Sequence, residues 1–120
     1  MTTNAAIDTA IIFTGQMKAI AEFYQHGFEL PTPNESPGHL GFPVGGVYLG
    51  FDRVEDPENF QHGAVTLWFR VDDVQATFDR FVALGAKVRY PPVQKPWGDI
   101  LAAIYDLDGN IVGLSQRKAE

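Results

Sequence analysis

The stretch VDDVQATFDRFVALGAKVRYPP, residues 71–92, changes its hydrophobic period part-way along. Val74, Phe78, Phe81 and Val82 recur at helical spacing and mark one buried stripe. Asp72 or Asp73 is placed to cap the helix start, because a short acceptor side chain can take a free N–H of the first turn. Gly85 closes the helix, and AKVRY runs extended until Pro91-Pro92 stops it. Upstream, AVTLWFRV (64–71) is rich in apolar and β-favouring residues and reads as a strand. Downstream, ILAAIYDL (100–107) and NIVGLSQR (110–117) flank Asp108-Gly109, a hairpin signal. The order is β-α-β-β-β.

The first half repeats that order. TAIIFTG (9–15) reads as a strand, and QMKAIAEFYQHG (16–27) as a helix with Met17, Ile20, Ala21 and Tyr24 on one face and Gly27 as its stop. FELPTP (28–33) is a short extended piece, NESPG (34–38) a loop, and HLGFPV with VYLGFDRV flank the Gly45-Gly46 turn. In superposition Thr9 falls on Thr66, Phe13 on Arg70, Tyr24 on Phe81 and Gly50 on Gly113. Neither half is large enough to bury both a helix stripe and a sheet face alone. The expected fold is therefore α+β. Two βαβββ modules, at about 7–55 and about 63–117, form a curved, cup-like mixed sheet with helices outside, all within one domain spanning 1–120.

Composition narrows the function. Nine Lys plus Arg against fifteen Asp plus Glu leave a net charge of −6, which disfavours a nucleic-acid partner. There is no cysteine, so disulfides, thiolate metal sites and cysteine nucleophiles are excluded. No stretch approaches the roughly 20 apolar residues of a membrane span, and the N-terminus lacks the basic flank of a signal peptide. The expectation is a cytoplasmic protein without a membrane partner. G-x-S-x-G, P-loop and G-x-G-x-x-G patterns are all missing, and the glycines of GFPVGG sit at a hairpin and do not open a helix.

The phrases VDDVQATFDRFVALGAKV, PPVQKPWGD and DLDGNIVGL, in that order, resemble the vicinal oxygen chelate superfamily, which includes glyoxalase I, extradiol dioxygenases, fosfomycin-resistance enzymes and bleomycin-resistance proteins. The first half, AIIFTGQMKAIAEFYQHGFEL, matches more loosely. The resemblance implies a homodimer and a site on the concave sheet face. Where such proteins hold a metal, its ligands come from the first and last strand of each module; carried over, those positions are Thr9, Gly50, Thr66 and Gly113. Two hydroxyls and two glycines do not supply the His or carboxylate donors a divalent metal needs. The resemblance thus implies that Gly113 stands where relatives carry a carboxylate, leaving the centre wider and uncharged. Bulges or strand kinks are the other reading of both glycines.

Strand alternation from those positions supplies a lining. Thr9 carries Ile11 and Phe13 with it, Thr66 carries Trp68 and Arg70, Gly50 carries Tyr48 and Asp52, and Gly113 carries Ile111 and Ser115. The expected ligand-binding set is Thr9, Phe13, Tyr48, Asp52, Thr66, Trp68, Arg70, Trp97 and Ser115, with no metal, no cofactor and no catalytic residue. Rings at Tyr48 and Trp68 suit a planar or cationic guest, and Arg70 suits a carboxylate or phosphate. Arg70 and Asp52 pairing with each other is an alternative. Trp97 either stands at the pocket mouth or anchors its loop, and Asp99 is a further polar contact. His26 sits in the last helical turn before Gly27, while His39 and His62 open strands away from the four positions; an unusual site built on His39 or His62 stays open, as does Asp52 as a base. The leading function is a metal-free binding protein, close to the bleomycin-resistance branch, that sequesters a small aromatic or cationic compound. The alternatives are a lyase, isomerase or dioxygenase of the glyoxalase type using displaced metal ligands, and a non-catalytic assembly partner.

Overall fold

A computed structural model describes residues 7, 9–56, 58 and 65–118. The elements are β1 (Thr9–Thr14), α1 (Met17–Phe28), β2 (Asn34–Ser36), β3 (His39–Val44), β4 (Val47–Arg53), β5 (Leu67–Arg70), α2 (Val74–Ala83), β6 (Lys87–Gln94), β7 (Ile100–Tyr105) and β8 (Ile111–Gln116). They form two four-stranded sheets, ordered β1-β4-β3-β2 and β5-β8-β7-β6. In each, the first strand runs parallel to the last and the remaining pairs are antiparallel. This is the expected α+β duplication of a βαβββ unit, here with the strands divided between two sheets.

Several local expectations are corrected. NESPG contributes the short edge strand β2, whereas only Phe28 of FELPTP is in a regular element, as the end of α1. Gly27 lies inside α1, which ends where Glu29 adopts the left-handed conformation (φ 56°). That glycine is needed for a different reason: a Cβ there would overlap the Phe81 ring of α2. Val82 is exposed, and Thr77 takes its place in the buried stripe of α2. β6 continues through Pro91-Pro92 because it is the sheet's outer strand, where proline removes no interior ladder bond; its register shifts twice against β7. The α2 cap is Asp73, whose carboxylate accepts the Ala76 N–H at 3.0 Å.

Each helix covers one face of its own sheet. Leu49 and Phe51 of β4 and Leu40 and Phe42 of β3 are buried on the α1 side; Val112 and Leu114 of β8 and Ala102 and Ile104 of β7 are buried with α2. The helices also meet. Phe81 of α2 packs on Phe23 and Phe28 of α1 with ring centroids 5.2 and 4.9 Å apart. Tyr24 touches Phe51 of the first sheet (4.9 Å) and Phe69 of the second (6.1 Å), so α1 lies between the helix-covered faces of both sheets and the two modules share one core. The Tyr24 hydroxyl donates to Asp106 at 2.7 Å, in the β7–β8 turn, whose backbone N–H groups at Asp108 and Asn110 also bond that carboxylate. Burial, and then the Asp106 charge, push the Tyr24 hydroxyl well above the usual phenol range.

Candidate functional site on the helix-free faces

Because the covered faces meet in a common core, the opposite faces turn away from it and from each other. Strand parity settles what they carry. In the first sheet, Thr9, Ile11 and Phe13 of β1 stand beside Tyr48, Gly50 and Asp52 of β4, which in turn oppose Pro43, Gly41 and His39 of β3. In the second, Trp68 and Arg70 of β5 stand beside Gly113 and Ser115 of β8, which oppose Ala103 and Leu101 of β7. Thr66 lies just before β5. Thr9, Phe13, Tyr48 and Asp52 are therefore brought together on one face, and Trp68, Arg70 and Ser115 on the other. One chain does not bring the two groups into a single cup.

The glycines are explained by their neighbours. Neither sheet shows a register shift at Gly50 or Gly113, so neither residue marks a bulge. Instead the Trp68 indole lies across Gly113, where any Cβ would overlap its ring. Ile11 and His39 close over Gly50 in the same way, and the Tyr48 ring crosses Gly41. The widened, uncharged centre expected from the sequence is thus corrected: side chains fill the space above both glycines, and an ionisable pair sits on the first face. With its indole over Gly113, Trp68 remains 49% exposed; on the other sheet's face Phe13 is 48% and Ile11 37% exposed.

The first face holds a hydrogen-bonded trio. His39 Nδ1 is 2.5 Å from Asp52 Oδ1, and His39 Nε2 is 2.7 Å from the Tyr48 hydroxyl. The imidazole and phenol rings lie nearly parallel, 19° apart. Asp52 thus pairs with His39 and not with Arg70; the Arg70 guanidinium has no hydrogen-bond or ion-pair partner among the described residues. From the sequence His39 occupies no ligand-equivalent position, so it enters only as one end of an open, unusual site and not in the expected lining. The signal was nonetheless available: a two-residue turn at Gly45-Gly46 pairs Val44 with Val47, and counting outward brings His39 opposite Asp52.

Other expected residues fall elsewhere. Trp97 is 61% exposed in the β6–β7 turn, and the Asp99 carboxylate accepts the Lys118 backbone N–H at 2.8 Å. His26 is exposed in the last turn of α1. His62 lies outside the described residues.

The sequence model of the Glyoxalase/Bleomycin resistance protein/Dioxygenase superfamily matches residues 6–114. The chain belongs to this superfamily. Solved structures agree with the fold. A glyoxalase/bleomycin resistance protein/dioxygenase family enzyme from Burkholderia phytofirmans PsJN gives a TM-score of 0.81 at 24% identity, covering 93% of this chain and 98% of that one. Lactoylglutathione lyase from Agrobacterium tumefaciens gives 0.73 at 26% identity, covering 96% of each chain. TioX from Micromonospora sp. ML1 gives 0.77 at 19%, covering 93% and 98%. No curated protein matches the chain.

The superfamily's metal does not fit the residues at its usual positions. Thr9, Gly50, Thr66 and Gly113 provide no imidazole or carboxylate, and side chains of this chain lie over both glycines. Among the described residues no three His, Cys, Asp or Glu side chains converge. His39 and Asp52 are the two metal-type donors on the first face, and they are bonded to each other.

Proposed function

We propose that this superfamily member is a small-molecule binding protein whose site is completed by a second copy of the chain, the helix-free face of the first sheet closing on that of the second sheet in its partner. The observation that carries the reading is the half-exposed Trp68 lying over Gly113, on a face turned away from the core, with partly exposed Ile11 on the matching face. Such apolar groups exposed on sheet faces want either a partner or a guest. Two modules of one design favour closure: a two-fold axis that brings first sheet to second sheet does so twice and leaves nothing open. Charge supports the match, since Asp52 lies on one face and Arg70 on the other.

The guest is a small aromatic compound. An unpartnered Arg70 favours one that carries a carboxylate over a cationic one, because guanidinium binds carboxylate through paired N–H groups. Two or three buried ring contacts at roughly 1.5–3 kcal/mol each supply about 3–9 kcal/mol before the cost of association, so the reading expects weak binding, near the millimolar range at about −4 kcal/mol.

The test uses a Trp97→Phe background, so that Trp68 is the sole indole. Phenylpyruvate, a ring with a carboxylate, is titrated while the Trp68 indole N–H resonance is followed by NMR. Saturable movement is expected, together with a solution mass twice the 13.3 kDa of the chain. A monomer whose Trp68 resonance ignores the probe defeats the reading. A bound transition metal at one per chain after purification favours the lyase or dioxygenase alternative instead.

A further inference from the structure

Tyr48 reaches His39 by a path that the sequence keeps clear. Tyr48 is opposite Pro43, and its ring runs diagonally over Gly41 towards His39; any side chain at Gly41 would occupy the place of the phenol oxygen. His39 itself stands opposite Asp52, so the antiparallel ladder sets the spacing of acid and imidazole. Both ring nitrogens are engaged. A carboxylate only accepts, so Nδ1 carries the proton donated to Asp52, and in the neutral imidazole Nε2 must accept from the Tyr48 O–H. The order is carboxylate, imidazole, hydroxyl. This is the arrangement in which a buried acid orients an imidazole to take a hydroxyl proton and stabilises the cation that results. Yet the group is open to the face: the side chains of His39 and Asp52 are 26% and 33% exposed. The equivalent positions in the second module are Leu101, Ile111 and Ser115, which hold no ionisable group, so duplication alone does not account for the trio.

We propose that Asp52, His39 and Tyr48 form a proton relay that makes the Tyr48 hydroxyl a general acid–base group, catalysing keto–enol interconversion of a small aryl carbonyl compound bearing a carboxylate. The substrate class rests on the binding reading above: rings for the aryl group, Arg70 of the second copy for the carboxylate. In the enol-to-keto direction, the enol O–H gives its proton to the Tyr48 oxygen as the Tyr48 proton passes to His39 Nε2. An enolate and an imidazolium held by Asp52 result. The imidazolium then returns its proton to Tyr48, and Tyr48 delivers one to the enolate carbon. One O–H bond breaks, one C–H bond forms, the carbonyl is restored, and no oxidant, reductant or further reactant is needed. Tyr48 is the catalytic residue; His39 and Asp52 act through it as positioning residues.

The experiment follows the loss of phenylpyruvate enol absorbance with the full chain. The expected result is saturable acceleration over buffer. Tyr48→Phe lowers kcat about 100-fold, within the usual worth of a general acid–base group, with KM and the Trp68 N–H response to the probe preserved. His39→Ala loses activity similarly and regains part of it when free imidazole is added, which a merely bracing residue would not do. Asp52→Asn lowers kcat with KM retained. Acceleration as fast in Tyr48→Phe as in the wild type overturns the relay, as does no acceleration at all. If the probe moves the Trp68 resonance without being turned over, only the relay fails. If neither occurs, the binding reading falls with it.

Discussion

The two modules share a plan and differ in what they expose. On the covered side they are nearly interchangeable: Ile12 beside Phe51 has the same register as Phe69 beside Leu114, and both helices send aromatic rings into one core. On the helix-free side they diverge. The first module has spent its space on hydrogen-bonded polar groups, with Tyr48 and His39 laid over Gly41 and Gly50. The second has spent it on one indole over Gly113, with a guanidinium alongside that has no partner among the described residues. Shared burial constrains a face towards sameness, because every methylene must fit its neighbours. A face without that constraint is free to acquire chemistry. The proposed second copy answers this contrast, because the polar trio and the indole reside on different sheets that one chain turns apart.

The junction gives the largest expected effect. Phe81→Ala removes the ring that fills the space over Gly27 and joins the two helices, and should cost about 3–5 kcal/mol in urea denaturation. A cost below about 1 kcal/mol would show that the modules do not depend on a common core. Next comes Tyr24→Phe, which leaves Asp106 short of a charged hydrogen bond between modules, at about 1.5–3 kcal/mol. Tyr24 also sets a pH dependence. Its folded-state value is raised, so its contribution is complete below the unfolded value of about 10. Above that, the unfolded chain gives up a proton that the folded one retains, and stability falls as the pH climbs. Alkaline melts should show this loss in the parent and much less of it in Tyr24→Phe.

Smaller effects separate the faces. Gly113→Ala pushes the Trp68 indole off its seat, and Gly41→Ala pushes Tyr48 away from His39; each should cost about 1–3 kcal/mol by overpacking. They should differ in the readout. The first shifts Trp68 emission and weakens probe binding, while the second leaves Trp68 emission in place. Equal optical changes would mean that the faces are not independent. Smallest is Arg70→Ala: its side chain has no partner among the described residues of its own chain, so chain stability should stay within about 0.5 kcal/mol, while phenylpyruvate binding weakens measurably.

Much of the fold was legible. The helical stripes, the two hairpin turns and the duplication follow from local period and from Gly-containing turns. Parity counted from the positions that the resemblance supplied put Tyr48, Asp52, Trp68 and Arg70 on the helix-free faces. What misled was punctuation read without context. Gly27 looked like a stop signal, yet it is a gap cut for a ring of another helix, and Pro91-Pro92 looked like a strand end but lies on an edge where proline is harmless. NESPG has turn composition and still pairs, because β3 offers it a free edge. The His39–Asp52–Tyr48 trio sits between these cases: the hairpin count gives the first pair, whereas the diagonal reach of Tyr48 over Gly41 needs coordinates.

The sequence by itself determined the two βαβββ units and which residues of a strand share a side, since these depend on periodicity over a few neighbouring positions, while its wording carried the resemblance to the superfamily. Only the tertiary structure decided that α1 and α2 pack together and turn the two helix-free faces apart, that Trp68 covers Gly113, and that Asp52 takes His39 in preference to Arg70. Those outcomes depend on which surfaces far apart in the chain bury each other, and burial is a property of the packed whole.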